Sequence, residues 1–493
     1  MVHVIGGGLA GSEAAWQSAQ LGVPATIHEM RPVRPTAVHK TDGLAELVCS
    51  NSFRGDKLDN AVGLLKEEMR RLGSVIMRAA DATRVPAGAA LAVDRVAFSQ
   101  RVSDEIARHP LIRVVREEVA GLPGPSSGWS PVIVATGPLT SDALSADICA
   151  FIGADHLYFY DAISPIVLAD SIDMGKVFRA SRWDRSLRGA TGATDATGAM
   201  SAVRCTGAEG AAGAAGAASA APAACGMDDG QGDYLNCPLT RDEYEAFYQA
   251  VITAESATVH DFDNEKFFEG CLPIEVMAHR GKDTLRFGPM KPVGLTDPRT
   301  GRSPYAAVQL RQDTLAGDHY SLVGFQTQLK WGEQARVLRL VPGLERAEFV
   351  RYGMVHRNTY INGPTVLRET WQARKRSDLF FAGQVSGVEG YVESAASGLI
   401  AGRNAAALVL ERPLSVPPRT TAIGALAYYV SHADARSYQP SNITHGIMAP
   451  LDNPPKDKLQ KKTLIADRAL RDLESWDNHA TVVGPDLSPA VAR

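Results

Sequence analysis

The chain opens on a short apolar run, Val2-His3-Val4-Ile5, that passes without a break into Gly6-Gly7-Gly8-Leu9-Ala10-Gly11. The run predicts a buried strand. A helix-period segment follows from Ser12 to Leu21, and a second strand, Ala25-Thr26-Ile27-His28, ends at Glu29. Residues 60–80 read as one amphipathic helix, with Leu64, Leu65, Met69 and Leu72 on its apolar stripe and Lys66, Glu67, Glu68, Arg70 and Arg71 largely off it. Pro131 to Gly137 reads as a buried strand ending in the small residues Ala135, Thr136 and Gly137. A helix is predicted from Arg241 to Ala254, with the stripe Tyr244, Phe247, Tyr248 and Val251; Thr240 caps it, and Glu243 completes a capping box. Leu379 to Phe381 is a further apolar strand, running into Ala382-Gly383-Gln384, and a small-residue helix follows from Ser394 to Leu408. Pro-rich residues 413–418 link to a last helical segment and an exposed tail. The pattern shows no internal repeat.

Strand, glycine turn, helix, second strand and terminal acid together form the dinucleotide-binding βαβ fingerprint with its spacing intact. Gly6 permits the tight turn, Gly8 lets the backbone approach a pyrophosphate, and Gly11 lets helix and strand pack closely. The phosphates are expected on the helix N-terminus, across the Gly6–Gly11 turn that also includes Gly7, Leu9 and Ala10, and Glu29 on a ribose hydroxyl. The long Pro/Arg-rich loop from Arg31 to Lys40, and Glu46 to Arg54 after it, lie beside this fingerprint, where long loops are usually functional.

At 493 residues the chain has room for two or three domains, and its 45% hydrophobic and 22% charged content is that of an ordinary globular protein. A net charge of −4 means that a polyanionic partner must be met by a local patch. Two such patches stand out. From His279 to Arg311 seven Lys/Arg face two acids, and from Arg351 to Arg376 six face one, with Phe287, Tyr305, Tyr352, Tyr360 and Trp371 interleaved. Basic loops with aromatics suit a nucleic acid or an anionic cofactor, and a solvated surface face reads the same way. Six cysteines without a C-x-x-C pair argue against a disulfide framework and against a metal site, and point to a reducing cytoplasmic setting. No apolar run approaches the length of a membrane span, and no signal peptide precedes the first strand. Residues 186–227 are mostly Ala, Gly, Ser and Thr and read as a disordered insertion. Cys237, just ahead of the predicted helix, is placed where a thiol's pKa tends to fall.

Longer motifs carry a family resemblance. They are Gly6 to Gly11, Ala-Glu-Leu-Val-Cys-Ser-Asn-Ser at 45–52, Tyr-Leu-Asn-Cys-Pro at 234–238, 269–278, Asp-Thr-Leu-Arg-Phe-Gly-Pro-Met-Lys-Pro-Val-Gly-Leu at 283–295, 324–334 and 382–398. In these the chain resembles the folate- and FAD-dependent tRNA (uracil-5-)-methyltransferases of bacteria, relatives of the GidA flavoproteins. It departs from the usual pattern in the insertion at 186–227 and at 441 and 444–445.

The resemblance implies an α/β fold with a Rossmann-like, glutathione-reductase-like FAD-binding domain (1–150 and 350–445), an inserted α/β substrate or tRNA domain (151–349), and a tail at 446–493. It implies methylation of a T-loop uridine of tRNA at C5, with 5,10-methylenetetrahydrofolate as carbon donor and FAD, re-reduced by NAD(P)H, as reductant. Ala135-Thr136-Gly137 and Gly383-Gln384 are expected near the flavin. Cys237 is expected to add to uracil C6, and Cys49, nearer the flavin, to act as general acid or base or to guard a flavin-bound one-carbon adduct. Arg280, Lys282, Arg286, Lys291, Arg351 and Arg357 are candidates for phosphate or folate carboxylate, and Tyr352 or Tyr360 for stacking on a pterin or base. Competing readings are a plain NAD(P)H-dependent flavoprotein reductase and a tRNA-binding flavoprotein acting on another uridine.

Overall fold

The computed structural model describes residues 1–36, 38–154, 157–184, 232–257 and 272–482. The Ala/Gly-rich insertion and the cysteines at 205, 225 and 271 lie outside these residues.

β1 (Val2–Ile5) is buried at all four positions, and α1 (Leu9–Gln20) returns the chain so that β2 (Ala25–Glu29) pairs in parallel with β1, Val2 opposite Ala25 and Ile5 opposite His28. Next come β3 (Ser52–Gly55), α2 (Ala61–Arg71), α3 (Val75–Ala82), β4 (Arg84–Val85) and β5 (Ala90–Val93), whose strands form a small antiparallel sheet in the order β3-β5-β4. α4 (Arg95–Arg108), β6 (Ile112–Arg116), β7 (Val132–Val134) and α5 (Asp142–Ile152) follow. The amphipathic stretch predicted as one helix over 60–80 is two. Gly73 takes a left-handed φ of +71°, and Ser74 starts α3 by accepting from the Met77 N–H. Lys66 and Glu68, expected off the stripe, are fully buried. Lys66 donates to the carbonyls of Phe53 and Gly55, and Glu68 accepts from the Ala422 and Ile423 N–H groups.

The chain then builds a second sheet. β8 (Leu157–Ala162) leads to β9 (Ile166–Leu168), β10 (Phe178–Ala180), β11 (Tyr234–Leu239), α6 (Arg241–Thr253), α7 (Ile274–His279) and α8 (Thr284–Phe287). β12 (Ala306–Gln312), β13 (His319–Leu322), α9 (Trp331–Leu338) and β14 (Phe349–Arg351) complete it, in the antiparallel order β10-β11-β12-β13-β9-β14. Tyr244, Phe247 and Val251 of α6 pack on this sheet, and the Thr240–Glu243 capping box forms. β15 (Val355–Tyr360) pairs with β8 as a two-stranded ribbon.

After α10 (Gly363–Val366), β16 (Leu379–Phe381) adds itself in parallel to β7, closing a five-stranded parallel sheet β16-β7-β1-β2-β6. α11 (Tyr391–Val409) lies so tightly on α1 that a Cβ on Gly398 would stand 2.1 Å from the Ala10 carbonyl oxygen, so the small residues of this helix are a packing requirement. α12 (Ala422–His432) and α13 (Lys458–Val482) end the described chain. Residues expected as an exposed tail thus form a helix whose Ile465, Ala469 and Leu473 are buried in the first core.

Candidate functional site

The carboxyl ends of β1, β2 and β7 open into a cleft of about 980 Å³, its open mouth included. Its floor is the turn Gly6-Gly7-Gly8-Leu9-Ala10, and Ala135, Thr136 and Gly137 form one wall. Gly8 is the N-cap of α1 and supplies no side-chain cap, while a Cβ built on it would meet nothing within 4 Å. The first N–H groups of a buried helix therefore face open space, which is what an anionic group requires. Gly11 does not reach the cleft; a Cβ there would stand 1.9 Å from the Gly6 carbonyl oxygen, so it serves close packing.

Glu29 lines the cleft and is held by the protein itself. It accepts from the Gly7 N–H at 2.7 Å, the Arg31 N–H at 3.0 Å and the Arg31 guanidinium at 2.9 Å. Burial pushes its carboxyl up, but Arg31 and the backbone donors outweigh burial and hold it below the usual range, hence charged. Arg31 also reaches Glu46 at 3.2 Å, tying the Pro/Arg-rich loop to the cleft rim. Gln384 lines the cleft, whereas Gly383 packs against Ala10 and donates its N–H to the Ser397 hydroxyl. Open helix N–H groups, a glycine floor and a fixed carboxylate fit a dinucleotide.

Cys49 belongs to the loop at the lip of this cleft, next to Val48, which lines it. The loop is held from four directions. The Cys49 and Ser50 N–H groups donate to the Tyr391 hydroxyl at 2.8 and 3.2 Å, and Tyr391 opens α11 and lines the cleft. Arg95 of α4 donates to the Leu47 and Cys49 carbonyls and pairs with Asp313 at 2.9 Å. Arg351 of β14 donates to the Val48 carbonyl at 2.6 Å. Asn51 donates to the carbonyls of Val93 and Gln312 and accepts from Arg311 at 2.7 Å, joining the first lobe to the six-stranded sheet. The thiol itself is half-buried and points at the Ala162 carbonyl, 3.7 Å away.

Cys237 is placed differently. It lies within β11 opposite Val308, fully buried among Leu239, Phe247 and Leu310 in the second core. The expectation of a thiol activated by the helix start is overturned. Thr240, not Cys237, meets the helix end, and burial, with the Glu345 carboxylate adding to it, pushes this thiol well above its ordinary range. Pro238 and Leu239 wall a separate surface hollow, of which Cys237 is not part.

The basic candidates divide. Arg280, Lys282, Arg286 and Lys291 are not in the cleft wall. Lys282 pairs with Glu245, and Arg286 pairs with Asp283 and lies 3.7 Å over the Tyr305 ring. Arg280 is exposed just after α7, and Lys291 is half-buried. Arg351, expected to meet a ligand anion, is not in the cleft wall and donates to the Val48 carbonyl, which helps to fix the Cys49 loop. The side chain of Arg357 lies outside what the structure describes. Tyr360 is buried against Tyr438 and has no open face for a ring, which corrects its stacking role; Tyr352 stands in a stack with Trp331 and Phe349. Tyr391, Arg95 and Arg311 were missed. Only Tyr391 carried a signal, being the aromatic residue directly after a glycine at a helix start.

Against known proteins, the family model "Glucose inhibited division protein A" matches residues 1–205 and 217–413. The methylenetetrahydrofolate--tRNA-(uracil-5-)-methyltransferase TrmFO of Anoxybacillus flavithermus is 52% identical over 475 residues, covering 96% of this chain and 99% of that one. The chain belongs to the TrmFO family. A TrmFO of Heliobacterium modesticaldum is also 52% identical, over 96% of this chain and 97% of its own length. Aquifex aeolicus GidA superposes with a TM-score of 0.66 at 16% identity over 98% of this chain and 74% of that chain, which establishes that the two share a fold. Among the described residues no cluster of His, Cys, Asp and Glu could hold a metal ion, and no helix is long and apolar enough to cross a membrane.

Proposed function

We infer that this chain methylates uracil C5 in tRNA, taking the carbon from 5,10-methylenetetrahydrofolate and using FAD with NAD(P)H as reductant. The observation that carries the reading is near-full-length membership of the TrmFO family together with a thiol, Cys49, at the lip of a dinucleotide cleft. Gly6 to Ala10 and the α1 N-terminus would hold the FAD pyrophosphate and Glu29 its ribose. When bound and reduced, FAD supplies the hydride that takes the transferred carbon to the methyl level, and NAD(P)H restores it. The lobe of the six-stranded sheet is proposed as the substrate domain, and the T-loop uridine as the target.

Uracil C5 is a weak nucleophile until a thiolate adds to C6; the electron pair then lies over C5 and O4, C5 can attack the donor carbon, and the bonds from that carbon to the folate nitrogens break with their electron pairs left on nitrogen. Afterwards the C5 proton must go to a base and the thiolate must leave. Two thiols suit these two tasks. Cys49, with its peptide fixed by Tyr391, Arg95 and Arg351, is proposed to take the proton from C5. Cys237 adds to C6. In the resting fold its thiol is buried within β11 and burial raises its pKa, so addition to C6 calls for a rearrangement of its surroundings when substrate binds.

The two roles separate with tRNA carrying 5-fluorouridine at the target, since fluorine cannot leave C5 as a proton does and the adduct is trapped. Cys49→Ala is expected to lose methylation and still trap RNA, whereas Cys237→Ala loses both. Trapping by Cys237→Ala but not by Cys49→Ala would exchange the roles. Failure of the wild-type enzyme to move labelled methylene carbon into unmodified tRNA would sink the whole reading.

A further inference from the structure

Three rings of the second lobe stand in a column. Trp331 opens α9, and its ring lies 5.8 Å from that of Tyr352 at an interplanar angle of 14°. Tyr352 in turn lies 5.1 Å from Phe349 at 21°. Arg339 stands over Phe349, its guanidinium carbon 6.0 Å from the ring centroid. The column is closed by a cation at one end and open at the other. Phe349 and Tyr352 are half-buried, but Trp331 is 62% exposed.

The column is linked to the thiol loop through the chain. Tyr352 directly follows Arg351, whose guanidinium donates to the carbonyl of Val48, the residue before Cys49. A large indole held parallel to two other rings, with most of its surface in water, is a platform lacking its top layer.

Resting on the methyltransferase reading, we propose that Trp331 stacks a nucleobase of the tRNA that is unstacked when the target uridine is drawn toward the thiols. A uridine inside a folded loop must be splayed out before a thiolate reaches C6, and its neighbours then lose a stacking partner. An aromatic face replaces that partner for any base, because every base has a π surface. Trp331 is thus a positioning residue, contributing to RNA binding and not to the chemistry, and Tyr352 and Phe349 keep its ring flat and in place.

The test uses the FAD-loaded enzyme and an unmodified T-arm RNA hairpin, with Trp331→Ala and Trp331→Phe variants. Direct RNA binding, the KM for RNA, kcat and the KM for methylenetetrahydrofolate are measured side by side. Trp331→Ala is expected to weaken RNA binding and raise the RNA KM by roughly five- to a hundred-fold, with kcat nearly constant and the folate KM unmoved. Trp331→Phe should recover most of that loss. Unchanged RNA affinity in Trp331→Ala would overturn the proposal. So would a rise confined to the folate KM, which would mean that the indole carries the folate ring system. If the wild-type enzyme bound the hairpin without methylating it, the reaction assignment would fail, and the binding comparison would still decide the platform.

Discussion

At Gly8 the α1 N-cap has a φ of −71° and ψ of −168°, a conformation open to any residue, and a Cβ there would meet nothing of the protein within 4 Å. At Gly6, two residues earlier, φ is +103° and a Cβ would lie 2.6 Å from the Ala135 carbonyl oxygen. The glycines of one turn therefore fail in different ways when substituted. Gly8→Val should fold with an unchanged thermal midpoint in the FAD-free protein and lose FAD affinity about tenfold or more, the factor that about 1.4 kcal/mol commands, because its side chain occupies pyrophosphate space. Gly6→Val should lose the fold itself, through strain and collision. Flavin absorbance and thermal unfolding measured together separate the two, and a Gly8→Val enzyme that stays fully yellow would refute the placement of the pyrophosphate. These roles could be read from the sequence because the fingerprint is local. The surroundings of Cys49 could not, since Tyr391, Arg95, Arg311 and Arg351 reach it from residues 46 to 342 positions away. For Cys237 the sequence distance to a helix start misled, because it says nothing about which way a strand residue faces.

Elements show the same division. The βαβ unit, the capped helix α6 and the small-residue helix α11 announce themselves through period and capping, which act within a few residues. The six-stranded sheet does not, because β10 pairs with β11 and β9 lies between β13 and β14, contacts that only the folded chain creates. The break between α2 and α3 was likewise hidden, and it has a chemical consequence. Glu13 of α1 is fully buried at that break, accepting from the Ser74 hydroxyl at 2.6 Å, the Ile76 N–H at 3.1 Å and Gln17 at 2.9 Å. Burial outweighs these donors and raises its pKa from 4.5 to about 7. The folded state thus binds this proton more tightly than the unfolded state, so the group's contribution is fully present below pH 4.5 and is lost as pH rises through about 7. Over that window the loss amounts to roughly 3 kcal/mol. Glu13→Gln, which keeps an acceptor for Ser74 and Ile76, should remove this slope. Urea unfolding of both proteins between pH 5 and pH 8 checks it, and parallel pH profiles would count against a protonated Glu13.

Across the whole molecule, the parallel and antiparallel sheets meet at the Cys49 loop, and one guanidinium does much of the joining. Arg95 comes from α4 of the first lobe, pairs with Asp313 just past β12 of the second, and donates to the carbonyls on either side of Val48. Both partners are shielded, with side-chain exposures of 14% and 6%, so the pair is not dissipated by solvent as a surface pair would be. Removing either side leaves a charge without its partner and also frees the loop that carries the thiol. Arg95→Ala and Asp313→Ala should each lower kcat strongly while leaving the glycine floor and FAD binding in place, since neither residue lines the cleft. Because they act through one contact, the double variant should cost much less than the sum, with a coupling of about 1–3 kcal/mol in a stability cycle. Hydrogen exchange reports the mechanism directly. Amides of residues 47–51 should lose protection in all three variants, and those of β1 and β2 should not. Additive effects, or loosening that spreads evenly through the parallel sheet, would mean that the lobes are held together elsewhere and that the loop is not the joint through which substrate binding on one lobe reaches the chemistry on the other.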